Sequence, residues 1–249
     1  METPGSASPD WAIETQGLAK SFGHRLALRD IDLQVRRGET VAILGPNGAG
    51  KTTLIKVLAT IMNPTSGNLL VDGLPVKDNA EEIRRKIGVV THQTFLYSNL
   101  TAYENLDFYC RMYDVPAANE RIQQVLALVG MTHRSRERVG TLSRGMQQRL
   151  SLARAELHNP DIMLLDEPEA GLDQQAISML WQRLPAEMGE KRTTIFTTHN
   201  LERGLEICDS LLILARGRVI YRESKKTLDL AELKQIYRQC LEAEHEILA

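Results

Sequence analysis

Cysteine and aromatic residues are both scarce in this chain: 3 Cys among 249 residues, and Phe, Trp and Tyr together at 5%. Cys110, Cys208 and Cys240 are odd in number, with no close pair and no metal-ligand spacing. That excludes a disulfide-stapled scaffold and leaves three reduced thiols in the cytosol as the expectation. Long apolar runs are missing too. The longest, Ile162–Leu165 and Leu211–Ala215, fall far short of the ~20 residues that cross a bilayer. Neither charge sign is in excess, with 30 Lys plus Arg against 32 Asp plus Glu. No global positive field draws the chain onto nucleic acid, and no nucleic-acid partner is expected. The stretch Met1–Asp10 holds Pro4, Gly5 and Pro9 but no apolar segment, and reads as a frayed tail rather than a secretory signal.

What is present is an ordinary globular composition, 43% apolar and 25% charged, enough for one large domain or two small ones. After residue 40, short apolar runs alternate with helix-length amphipathic segments, the pattern of an α/β layer fold with a mainly parallel sheet. Ala12–Leu18 and Ile31–Val35 read as strands of a separate antiparallel piece. Strands are expected at Thr40–Leu44, Ile162–Asp166, Thr193–Thr198 and Leu211–Leu214, with a turn at Arg216-Gly217 leading into Arg218–Tyr221. A helix is expected over Lys51–Ala59. From Thr101 to Leu157 the patterning is helical, punctuated by Pro116 and Gly130, so a helical subdomain is placed there. Leu228, Leu230, Leu233, Ile236, Tyr237 and Leu241 form an apolar stripe at helical spacing, read as a packing face.

Gly45-Pro46-Asn47-Gly48-Ala49-Gly50-Lys51-Thr52 fits G-x-x-x-x-G-K-[ST] in full, after an expected strand and before an expected helix. Glycines let successive backbone N–H groups converge on phosphate oxygens, the helix N-terminus adds partial positive charge, and Lys51 supplies a point charge. The Thr52 hydroxyl is a candidate Mg²⁺ ligand. A loop that merely turns the chain is the competing reading, and four fixed positions in the right context outweigh it. Phosphoryl chemistry also needs a carboxylate at the end of a neighbouring apolar strand, and Ile162-Met163-Leu164-Leu165-Asp166 provides one. Glu167 follows directly, placed to accept a proton from water.

Leu142-Ser143-Arg144-Gly145-Met146-Gln147-Gln148-Arg149, lying ahead of the Asp166-Glu167 strand, resembles the signature motif of the ATP-binding subunits of ABC transporters. The resemblance covers roughly residues 12–222. It implies a P-loop NTPase core with a parallel sheet, an N-terminal antiparallel β subdomain and an inserted helical subdomain. The ATPase domain would span 11–225, with the insertion at about 95–157 and a helical extension over 226–249. ATP and Mg²⁺ are the implied cofactors, gripped by Gly45–Thr53 and by Thr52, Gln93 and Asp166 respectively. Glu167, His199 and Gln93 take catalytic roles by resemblance, and Phe22 the role of the ring stacked on adenine. Ser143, Gly145 and Asp173 would serve the opposite subunit. A helix start offering a hydroxyl and a bare N–H is an anion site without a phosphate loop of its own, so a homodimer closing on two ATP molecules is implied.

Three positions depart from the family pattern: Arg144 for a usual Gly, Met146 for a usual Gln, and Glu169 for a small or uncharged residue. Glu169 would, on this reading, repel nucleotide. Residues 90–109 look most like the ATPase subunit of the haem exporter used in cytochrome c maturation, which implies membrane-embedded partners and a place on the cytoplasmic face of the membrane. A drug, lipid or ion exporter is the alternative, and a non-hydrolysing scaffold the alternative of another class. A soluble ATPase of DNA or ribosomes would need a coiled-coil insertion, and 115 residues between Lys51 and Asp166 leave no room for a long one.

Phe95, Tyr97, Tyr103, Phe108, Tyr109 and Tyr113 concentrate half of the aromatic residues just after Gln93. They read either as a dock for a partner helix or as subdomain core. His24, His92, His133, His158 and His245 lack ligand spacing and are expected to be solvated or locally bonded. Arg134, Arg136 and Arg138 read as a solvated face.

Overall fold

The computed structural model describes residues 10–170, 177, 181 and 192–246. The expected tail therefore lies outside the described residues except for Asp10, and Asp173 lies outside them too. In chain order the N-terminal part runs β1 (Trp11–Phe22), β2 (Arg25–Arg36), β3 (Thr40–Leu44), α1 (Lys51–Leu58), β4 (Ser66–Val71), β5 (Leu74–Pro75), α2 (Val76–Lys86) and β6 (Ile87–Val90). Three helices follow, α3 (Ala102–Met112), α4 (Ala118–Leu128) and α5 (Arg144–Glu156), then β7 (Ile162–Asp166) and β8 (Thr193–Thr197). The chain closes through α6 (Leu201–Ile207), β9 (Ser210–Ala215), β10 (Arg218–Ser224) and α7 (Leu230–Glu246).

Two sheets result. One is antiparallel, in the order β2-β1-β4-β5; the other has six strands, β10-β9-β3-β8-β7-β6, parallel throughout except for β10. The parallel strands read as unbroken apolar runs because both faces are covered. In β7, Ile162 and Leu164 join a core with α1 and the antiparallel sheet, whereas Met163 and Leu165 join a second core with α3, α4 and α5. Each of these four is 1% exposed or less. The same alternation divides β9, with Leu212 and Leu214 on the α1 side and Leu211 and Ile213 on the other.

The expected antiparallel piece is twice as large as its sequence signal, since β4 and β5 add to the β1–β2 hairpin. β4 has three exposed residues before its buried ones, too short an alternation to read. β6 has four residues, and Gly88 in it leaves no room for a side chain: a Cβ there would meet Met163 Sδ at 2.4 Å and Ala155 O at 2.7 Å. The expected helical stretch contains α3, α4 and α5, inserted between β6 and β7, which pair directly. Thr101 opens α3 with a reciprocal capping box to Glu104, which satisfies two donors that a helix start leaves orphaned. The C-terminal stripe packs: Leu233 is fully buried, and Leu228, Ile236 and Tyr237 lie against the α3–α5 core. Among the described residues no helix is long and apolar enough to cross a membrane.

The aromatic cluster divides between its two readings. Tyr109 is buried and donates its hydroxyl to Phe95 O at 2.5 Å, whereas Tyr97 and Phe108 are 48% and 41% exposed and meet edge to face at 5.2 Å. The arginine run is a solvated face, with Arg134 paired to Glu137 and Arg136 lying over the Tyr103 ring. None of the three cysteines forms a disulfide among the described residues, and burial pushes the Cys110 and Cys208 thiols up to about 11, holding them protonated and inert.

His158 is locally bonded. Its Nε2 donates to Ile87 O at 3.1 Å, its ring stacks on Tyr113 at 4.1 Å, and burial pushes its pKa down to about 4. The unfolded chain takes up this proton first, so the contribution is complete above the ordinary histidine value of 6.5 and is lost as pH falls toward 4. The cost at the acid end is about 3 kcal/mol. Denaturant midpoints measured from pH 7 to pH 4 should therefore fall less steeply for His158→Gln than for the parent chain.

Candidate active site

The phosphate loop leaves the C-terminal end of β3 and enters α1, as its sequence requires. Gly45 adopts φ 151°, and a Cβ there would sit 2.1 Å from Leu214 O; Gly50, the N-cap of α1, adopts φ 109° with Ala27 O 2.7 Å from a hypothetical Cβ. No other residue fits either position. Lys51 is 6% exposed and donates through Nζ to Gly45 O at 2.7 Å and Pro46 O at 3.0 Å, folding back over its own loop. Burial pushes its pKa below the ordinary range, while Glu167 and Asp166 act in the opposite direction and favour the charge.

A cavity of about 420 Å³ opens on this loop, lined by Phe22, Arg25, Ala27, Asn47, Gly48, Ala49, Gly50, Lys51, Thr52, Thr53, His92 and Glu167. Phe22 is 47% exposed at its rim, with Lys20 Nζ 5.3 Å from the ring centroid. An exposed ring beside a cation and a polar loop suits a purine face at one end and phosphates at the other.

β7, β8 and β3 lie side by side in parallel, so their carboxyl ends bring the two carboxylates to the same edge as the loop. Asp166 is 1% exposed; its Oδ1 accepts from Thr197 Oγ1 at 2.8 Å, and its Oδ2 is buried with no hydrogen-bond partner among the described residues. A buried, unshared carboxylate oxygen is costly unless something cationic or hydrated meets it. The same Thr197 hydroxyl accepts from Glu167 N at 2.9 Å. Glu167 has φ 47°, rare for a residue with a side chain. Its carboxylate stands between two imidazoles, His92 Nε2 at 3.7 Å and His199 Nδ1 at 4.0 Å.

Of the residues singled out in the sequence, the structure gathers Phe22, Asn47–Thr53 and Glu167 around the cavity, with Asp166 and His199 beside Glu167. It does not bring Gln93, Ser143 or Gly145 there. Gln93 follows β6 with an exposed side chain, its backbone N–H bonded to Thr91 Oγ1. Ser143 is the exposed N-cap of α5, its hydroxyl oxygen accepting from Met146 N at 3.3 Å. The first-turn N–H groups of α5 have no intrahelical acceptor.

Two residues take places that the sequence did not assign them. His92, expected to be solvated or locally bonded, is 47% exposed, lines the cavity and faces Glu167; its position next to Gln93 is the one signal that marks it. Glu169, expected to repel nucleotide, lies away from the cavity, with Trp181 Nε1 donating to its Oε1 at 2.5 Å and Arg203 Nε at 3.5 Å. Thr197 was missed as well; only its place two residues before His199, at the end of a buried strand, hinted at a polar task.

Residues 28–170 match the ABC transporter family model. The chain is 37% identical over 205 residues to the ABC transporter ATP-binding protein NatA of Bacillus subtilis, a match that covers 81% of this chain and 83% of that protein. It is 36% identical to the Nod factor export ATP-binding protein I of Burkholderia thailandensis, over 89% of this chain and 73% of the relative. Its fold matches a dimeric ATP-binding cassette in a post-hydrolysis state bound to ADP and Pi, with a TM-score of 0.79 and 28% identity, covering 86% of this chain and 98% of that one. With the phosphate loop, the paired carboxylates and the signature segment on one scaffold, the chain belongs to the ATP-binding, ATP-hydrolysing subunits of ABC transporters.

Proposed function

We propose that this chain powers an export system, two copies closing head to tail on two MgATP molecules and reopening after hydrolysis to move membrane-embedded partners on the cytoplasmic side. The observation that carries this reading is the separation of the site into two halves. The cavity gathers the phosphate loop, Phe22 and Glu167, whereas Ser143, exposed, and Gly145, half-buried, stand apart from it at the start of α5. A second copy supplies what each lacks. Asp173, in the segment after Ala170, would face that second copy.

Within the cavity Lys51 and the loop amides hold the β and γ phosphates, and Phe22 stacks on the adenine. The donor set suits Mg²⁺: the Thr52 hydroxyl lies in the cavity and Asp166 keeps a buried oxygen free, with Gln93 joining them once its loop closes. When bound, the metal would draw charge off the phosphates. Glu167 polarises the attacking water, and His199 holds the γ-phosphate end of the reaction. The segment 95–157 forms the helical subdomain, whose exposed Tyr97 and Phe108 suit a partner helix.

Export is favoured because relatives are named for Nod factor export. The haem-export reading rests on residues 90–109 alone, and a drug, lipid or ion exporter fits the same machinery. The cargo resides in other chains.

Two measurements test this reading. Glu167→Gln should lower ATP turnover by two orders of magnitude or more while leaving ATP binding intact; hydrolysis at the parent rate would refute the role given to Glu167. Gly145→Asp and Lys51→Ala chains should each be inactive alone. An equimolar mixture should recover roughly a quarter of the parent rate, because about half of random pairs are mixed and each mixed pair holds one complete site of two. A mixture as silent as its components would overturn the two-chain site.

A further inference from the structure

Glu167-Pro168-Glu169-Ala170 is a closed turn, with Ala170 N donating to Glu167 O at 3.0 Å. Proline in the second position fixes one of its few free dihedrals. A force applied at Glu169 is therefore transmitted to Glu167, two residues back. Glu169 is anchored at two points. Trp181 donates its indole N–H at 2.5 Å, its ring resting on Phe196 of β8 with centroids 4.8 Å apart. Arg203 approaches the same oxygen at 3.5 Å and pairs with Glu206 at 2.7 Å. Arg203 lies in the first turn of α6, where its backbone N–H bonds the N-cap Asn200, the residue after His199.

The carboxylate of Glu169 thus ties the turn that carries Glu167 to the helix start that carries His199. A cavity of about 190 Å³ separates the two segments, lined by residues that include Glu167, Glu169, Trp181, Phe196 and His199. Beside the Glu167 N–H bond to Thr197, two polar contacts to one carboxylate bridge that gap, partly shielded from water at 20% exposure, where such contacts outlast screening.

We propose that Glu169 is a positioning residue for ATP hydrolysis, setting the spacing of Glu167 and His199 through Trp181 and Arg203. It touches no substrate. Its effect falls on the step at which water must sit in line with the γ phosphate, and so on kcat and not on ATP capture by the phosphate loop. The inference rests on the roles given above to Glu167 and His199.

Turnover of the purified full chain as a function of MgATP concentration tests it. Glu169→Ala should lower kcat roughly tenfold to hundredfold with KM for ATP unchanged within about twofold. Glu169→Gln keeps the oxygen that accepts from Trp181 and loses only the charge facing Arg203, and should recover a large part of the lost rate. Trp181→Phe, which keeps ring packing and removes the donor, should lose part of it. Arg203→Ala added to Glu169→Ala should cost no more than Glu169→Ala alone. The proposal is overturned if Glu169→Ala turns over at the parent kcat, or if Glu169→Gln is as slow as Glu169→Ala. A loss that appears as raised KM with a lowered melting temperature also overturns it, since that is plain structural damage. Full activity in Glu167→Gln would strike the role of Glu167 itself, a separate failure visible in a separate variant.

Discussion

One constraint governs the site: β3, β8 and β7 are neighbouring parallel strands, so whatever follows their carboxyl ends is delivered to a single edge. Ile43 stands opposite Thr197, and Thr197 opposite Asp166. That register sets the phosphate loop, the His199 segment and the Asp166-Glu167 pair within reach of one another. Open parallel sheets bind ligands at such edges for this reason. The apolar bulk of the chain serves the arrangement by covering both sheet faces, with α1 and the antiparallel sheet on one side and α3, α4 and α5 on the other.

The polar groups at the edge are held apart in their free state by specific compensations. Lys51 is buried, and it reaches the loop's own carbonyls while Asp166 and Glu167 favour its charge. Thr197 divides a single hydroxyl between the two acidic residues, donating to one side chain and accepting from the other's backbone. Among the described residues, the buried Asp166 Oδ2 is left without a hydrogen-bond partner. An anionic ligand with its counter-cation would replace the provisional bonds of Lys51 and complete those of Asp166.

The phosphate loop, β7 and the signature segment were legible because each is written in consecutive residues whose chemistry is local. The strand runs at β7, β8 and β9 were legible because burial on both faces leaves an uninterrupted apolar stretch. β4, β6 and α2 were not. β6 is four residues long with a glycine explained by the crowding of Met163, Ala155 and Pro160, and α2 exposes most of its polar residues. The meeting of His92 with Glu167, and of Glu169 with Trp181 and Arg203, joins residues far apart in the chain or across a turn. Spacing alone carries no mark of either. The haem subtype drawn from residues 90–109 finds no counterpart in the names of the relatives reported, as expected where partner contacts rather than ATP chemistry separate one exporter from another.

Glu167 keeps a left-handed backbone at φ 47°, a conformation that costs a residue with a Cβ on the order of 1 kcal/mol or more. Glycine would occupy that place without strain and would make the molecule more robust while silencing it. A carboxylate in that conformation gives up fold stability at the spot where the protein works.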